Sequence, residues 1–247
     1  MSVELAIQAL LKTAKAEVGY LEKKTPSQLD DKTANAGSAN YTKYSRDLVA
    51  WVGSPYSNAV AWCDNFVDWC FIVTFGKDKA KELLGGWSAY TPTSANYFRF
   101  ENRLFTSNPK AGDQIFLGYN KLIGHTGIVT ANDGKIVYTV EGNTSGRSTV
   151  IPNGGAVCAK SYPLTYTGII AYGRPDFTIV GDDFMTDDEI YEAFMRATAK
   201  KTVSPYAVEA CKKGVAAGAF ADGNGDGMMD KPQSPLLRQD FAVVANA

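Results

Sequence analysis

The sequence predicts an α+β domain, with helices first and an antiparallel sheet second, followed by a small C-terminal helical module. Three observations predict it. Apolar residues recur at helical spacing up to about residue 100. Short β-rich runs punctuated by Gly, Asn and Asp then extend to Arg174-Pro175. Helical spacing restarts at a capping box running from Thr186 to Glu189.

Residues 1–24 read as a helix, because Val3, Ile7, Leu10, Leu11, Ala14 and Val18 mark one face. Residues 25–60 are rich in Ser, Asn, Thr, Gly and Tyr and read as one long irregular stretch, a kind of segment that is often functional. Residues 63–75 read as a buried helix, with Phe66, Val67, Cys70, Phe71 and Thr74 at 3/4 spacing. A short helix over Lys77–Leu84 ends at Gly85-Gly86, and another over 93–100 takes Thr93 or Ser94 as its cap. GDQIFLG, HTGIVTA, KIVYTVEGN, AVCAKSYPL and TGIIAYGRP then read as strands. Helices before strands indicate an α+β unit over 1–176. Residues 177–185 read as a linker and 186–247 as the helical module, with Ser204-Pro205 and Ser234-Pro235 opening its later helices.

Composition excludes several functions. The 247 residues carry 25 basic and 26 acidic side chains, a formal charge of -1, so nothing supports nucleic-acid binding. No run approaches the roughly 18 apolar residues of a membrane span. Glu4, Gln8 and Lys12 interrupt any signal-peptide core, so the chain is expected to be made in the cytoplasm without a signal peptide. None of the four cysteines, Cys63, Cys70, Cys158 and Cys211, forms a CxxC pair. In a helix, Cys63 and Cys70 would lie about 10 Å apart along the axis, too far for a disulfide, which needs Cα atoms within about 7 Å.

The single histidine, His125, nearly excludes a His-rich zinc site and makes His125 the base of any His-assisted reaction. HTGIVTA and KIVYTVEGN flank Asn132-Asp133-Gly134. A three-residue loop there pairs Ala131 with Lys135 and sets His125 opposite Glu141, with Asn143 on the same face. A two-residue Asp-Gly loop would instead set His125 opposite Gly142. An imidazole oriented by a carboxylate needs a nucleophile. Cys63, at the start of its helix, fits: the dipole and free N–H groups there favour a thiolate. Its own N–H is the natural first oxyanion donor.

This order of Cys, His, Glu and Asn, in WCDNFVDWC, GDQIF, GHTGIV and EGN, resembles the CHAP family of cysteine-dependent amidohydrolases and peptidases, over roughly residues 5–175. EVGYLEK, NYTKY, WCDNFVDWCF, AYTPTSANYF and YGRP resemble, more narrowly, peptidoglycan hydrolases of bacteriophages and Firmicutes. The resemblance implies a papain-like fold and cleavage of bacterial peptidoglycan without a required cofactor. The activity it implies is that of an endolysin, an N-acetylmuramoyl-L-alanine amidase or alternatively an endopeptidase, acting on the wall after release from the host cytoplasm. It makes Cys63 the nucleophile, His125 the base, Glu141 the orienting acid and Asn143 an auxiliary hydrogen-bond partner. Trp62 stands where many members carry Gln, leaving the second oxyanion donor unassigned, and residues 52–60 are an extra stretch before the nucleophile. Trp62, Trp87 and Tyr90 are the candidate aromatic substrate contacts. A catalytically silent wall-binding protein, or a cysteine peptidase acting on proteins, are the competing readings.

In the C-terminal module, Asp222, Asn224, Asp226 and Asp230 match positions 1, 3, 5 and 9 of a calcium loop, but Gln233 replaces the bidentate Glu. The same segment resembles a single S-layer homology repeat, which implies binding to a secondary cell-wall polymer or self-association with other copies.

Overall fold

A computed structural model describes residues 3–146 and 155–181. The expected helical module, with its calcium-loop residues Asp222, Asn224, Asp226 and Asp230 and its S-layer-like repeat, lies outside the described residues.

Five helices precede the sheet: α1 (Val3–Ala16), α2 (Lys43–Trp51), α3 (Cys63–Phe75), α4 (Lys77–Leu84) and α5 (Thr91–Phe100). The strands are β1 (Leu104–Phe105), β2 (Gln114–Tyr119), β3 (Leu122–Asn132), β4 (Ile136–Thr144), β5 (Ala156–Pro163) and β6 (Ile169–Gly173). They form one antiparallel sheet in the order β1-β6-β2-β3-β4-β5, an α+β architecture. No helix among the described residues is long and apolar enough to cross a membrane.

α3 and α4 occupy the expected spans; the other helices differ from expectation for local reasons. α1 stops at Ala16, and Gly19 adopts a left-handed φ of 92°. The chain beyond it is extended, with isolated bridges from Leu21 to Ala156 and from Lys23 to Ala36 and Tyr41. The stretch expected to be irregular contains α2, whose polar sequence hides its periodicity. Thr42 Oγ1 accepts the Ser45 N–H at 3.1 Å as the cap, and Tyr44 and Leu48 form the buried side. α5 begins at Thr91, with Tyr90 in the cap position and Pro92 in its first turn, where the missing proline N–H costs nothing. Phe177 and Val180, expected in the linker, are buried in the core, and Thr178–Gly181 forms a short helix, α6.

α3 is the central helix. All ten residues from Cys63 to Ile72 are buried, Asp64, Asn65 and Asp68 among them, so the helix is enclosed on every side rather than amphipathic. Tyr44 stacks on Trp62 at 5.5 Å and meets Phe66 and Trp69 edge-on at 5.2 and 5.1 Å. These contacts clamp the first two turns of α3 against α2. On its other side α3 meets the sheet. At Gly142 of β4 an added Cβ would lie 2.5 Å from Phe66 Cβ and 2.9 Å from Trp62 Cζ3. Strand and helix therefore approach more closely there than any side chain allows. A second, smaller apolar cluster, Ile115, Leu117, Val129, Val137, Tyr162 and Tyr172, is separate from the main core.

A Gly142→Ala change should force β4 away from α3. We expect a loss of about 1–3 kcal/mol, the usual cost of overpacking, read as a lower urea midpoint at unchanged m-value.

Candidate active site

The β3–β4 hairpin sets the geometry. Its register differs from those of both the three-residue and the two-residue loop. Asn132 pairs with Val137 and Ala131 with Tyr138, then a bulge at Thr130 resets the pairing to Val129 with Thr139 and Ile128 with Val140. The cause lies at the tip. The Asp133 carboxylate accepts the N–H groups of Lys135 and Ile136 at 2.8 and 2.7 Å, so the loop starts at Asp133 rather than Asn132. Continued one step, this register sets Gly127, not His125, opposite Glu141.

The two side chains meet nonetheless. His125 Nε2 and Glu141 Oε2 are 2.9 Å apart, with both residues fully buried. The contact is diagonal and runs across Gly127. A Cβ on Gly127 would fall 2.5 Å from Glu141 Cγ. The second glycine of GHTG therefore leaves the space through which the carboxylate leans toward the imidazole. Two further donors hold that carboxylate. Thr139 Oγ1 donates to Oε1 at 2.6 Å, and the Tyr162 hydroxyl donates to Oε2 at 3.1 Å. Both were missed in the sequence. Thr139 was accessible by strand alternation, two residues before Glu141; Tyr162 comes from β5 and depends on tertiary pairing.

Cys63 opens α3, with Trp62 in the cap position, and is 8% exposed. It lies close enough to His125 to favour the charged imidazole. With Nε2 taken by Glu141, Nδ1 is the nitrogen available to it. Nδ1 is buried and makes no formed hydrogen bond, so the resting approach is loose, as is common before substrate binds. Burial lowers the imidazole pKa, but the nearby Cys63 and the hydrogen-bonded Glu141 outweigh it, raising it from 6.5 to about 9. A cysteine at a helix start beside an imidazole held by a carboxylate is an arrangement that can serve as a nucleophile–base pair. Burial pushes the Cys70 and Cys158 thiols up instead, which suits inert packing residues.

The remaining expected site residues are placed differently. Asn143 is 1% exposed with a left-handed φ of 54°, and neither its Oδ1 nor its Nδ2 has a partner. It makes no hydrogen bond to His125. Trp62 is fully buried, and its Nε1 donates to Glu22 Oε2 at 2.9 Å, so it neither walls a groove nor supplies an oxyanion donor. Trp87 is partly buried against the core, and Tyr90 is 67% exposed. From the extra stretch 52–60, Tyr56 turns inward and donates its hydroxyl to Asp68.

Residues 55–143 match the CHAP domain family, a span that holds Cys63, His125, Glu141 and Asn143. No curated protein matches the chain. The crystal structure of Ly7917 is similar at 15% identity, covering 69% of this chain and 62% of that one, with a TM-score of 0.41. The crystal structure of Ly7917 with the hydrolyzing product of MDP is similar at 13% identity, covering 68% of this chain and 62% of that one, with a TM-score of 0.40. The chain thus spans less than two thirds of the length of either structure.

With only one histidine, a single imidazole resonance reports the site. Its titration by NMR should centre near 9. Glu141→Gln should move it down, because burial then opposes the charged form with one fewer partner. Protonation of His125 also stabilises the fold: the raised pKa contributes fully below about 6.5 and is lost as pH rises through about 9.

Proposed function

We propose that the chain is a cysteine-dependent peptidoglycan hydrolase, an N-acetylmuramoyl-L-alanine amidase of endolysin type that acts on the wall after release from the cytoplasm. The observation that carries this reading is the buried His125–Glu141 pair acting with Cys63 at the α3 N-terminus, inside the span that matches the CHAP domain.

The chemistry follows from the geometry. The Cys63 thiolate attacks the carbonyl carbon of the amide between the muramic acid lactyl group and L-alanine. The new C–S bond converts that carbonyl oxygen to an oxyanion. The Cys63 N–H, ahead of the first intrahelical donor at Phe66, is free of the helix ladder and is a donor for it. Asn143 Nδ2, buried and unpartnered, is a second group available to the substrate. His125 gives its proton to the departing alanine nitrogen as the C–N bond breaks. Water then attacks the thioester, His125 takes its proton, and the C–S bond breaks to release the lactyl carboxylic acid and return the Cys63 thiolate beside a protonated His125. Glu141, held by Thr139 and Tyr162, keeps the imidazole oriented and offsets its charge throughout.

Purified Gram-positive walls, incubated with the protein and then labelled at free amino termini, test the reading. New N-terminal L-alanine, absent with Cys63→Ala, is the expected result, and the variant should lose at least about 10³-fold in rate. A new terminus from the stem or cross-bridge would make the enzyme an endopeptidase on the same residues. Cleavage of casein but not of walls would make it a protein-directed peptidase. No cleavage of either would leave a wall-binding protein.

A further inference from the structure

Two buried carboxylates stand directly behind the nucleophile. Asp64 follows Cys63 in the first turn of α3, and Asp68 lies one turn further; each is 2% exposed. Asp64 Oδ2 accepts from Ser94 Oγ of α5 at 2.6 Å, and Oδ1 accepts from Gln114 Nε2 of β2 at 3.1 Å. Gln114 Nε2 also donates to Thr126 Oγ1 at 3.0 Å, and Thr126 is the residue after His125. A short polar chain therefore joins the residue following the nucleophile to the residue following the base. Asp68 accepts from the Tyr56 hydroxyl and from the Ser88 N–H.

The groups facing this pair are all neutral or acidic. They are Tyr56 from the loop before α3, Ser88 from the connection into α5, Ser94 from α5, Gln114 from β2 and Thr126 from β3. No ion pair to either carboxylate occurs among the described residues. Two carboxyl groups one helical turn apart, desolvated and without a cation, do not both ionise at ordinary pH.

We propose that Asp64 is a positioning residue that keeps a proton in the active form of the site, and that losing this proton weakens the nucleophile. A carboxylate formed at Asp64 would place a negative charge one residue from Cys63, against the thiolate. It would do so at the end of the chain through Gln114 to Thr126. Burial raises the Asp64 carboxyl from 3.8 to about 7, while its bonds from Ser94 and Gln114 pull the other way. Burial and the neighbouring Asp64 charge hold the Asp68 carboxyl well above the usual range. Asp64 has two side-chain donors against one for Asp68, so its charged form is the better held and it is the first of the two to ionise as pH rises. The inference rests on Cys63 being the nucleophile, but not on which substrate it attacks.

The test uses the full chain and a probe that needs no substrate. The rate of iodoacetamide alkylation is followed from pH 5 to 9 on the Cys63 peptide by mass spectrometry, which separates it from the other three cysteines. The wild type should show a break near pH 7 at which Cys63 reactivity stops rising or falls. Asp64→Asn should lack the break and react at least about threefold faster above it, the size expected for one nearby charge. Ser94→Ala, which removes a bond to the charged form, should move the break up. Asp68→Asn should leave the break in place, because Asp68 is still neutral when Asp64 ionises. Ser94→Ala keeps the test decisive if Asp64→Asn does not fold. Superimposable profiles for the wild type and Asp64→Asn, or a break unmoved by Ser94→Ala, would overturn the proposal. Wall digestion is run in parallel. A pH 7 break without wall cleavage would sink the peptidoglycan reading and leave this one standing.

Discussion

Everything in the candidate site depends on how closely β4 approaches the first turn of α3. Gly142 has no side chain, so the strand lies against Phe66 and Trp62, the residues that bracket Cys63 in the helix. That single contact sets Cys63 beside the strand that carries Glu141. Trp62 cannot drift from it, because its indole is stacked on Tyr44 and tied through Nε1 to Glu22. The glycine between Glu141 and Asn143 is thus a packing requirement that decides where the chemistry can occur.

A second glycine solves the complementary problem. Strand pairing sets Gly127 rather than His125 across from Glu141, and only an empty position there lets the carboxylate reach diagonally to the imidazole. The spacing in GHTGIV and EGN therefore has one physical meaning in two places. Each glycine removes a side chain where two elements, or two side chains, have to come closer than a Cβ permits.

The buried acids differ in what satisfies them. Glu141 has an imidazole and two hydroxyl donors, so its charge is matched where it sits. Asp64 and Asp68 have hydroxyls, an amide and a backbone N–H but no cation, so the proton becomes their counter-charge. In the proposed mechanism the first orients the base, while the other two bear on the electrostatics behind Cys63.

The order of helices and strands was legible in the sequence because it rests on local periodicity and turn residues. α3 and the five longer strands announced themselves in that way, and so did the pairing of one histidine with one acid on the next strand. α2 was not legible, since its helix is held by a Thr42 cap and by burial of Tyr44 and Leu48 rather than by a continuous apolar stripe. The role expected for Trp62 also failed, because exposure is a property of packing and the indole had a buried partner forty residues away. The hairpin register went wrong at one loop, where the Asp133 side chain captured two backbone N–H groups. By itself the sequence determined which residue types were available: a single histidine, a cysteine at a helix start, and an acid and an amide at the end of a strand. Only the tertiary structure decided which of them touch, and which carboxyls are buried without a cation. Both depend on close approach and desolvation, and these exist only once the sheet has closed over α3.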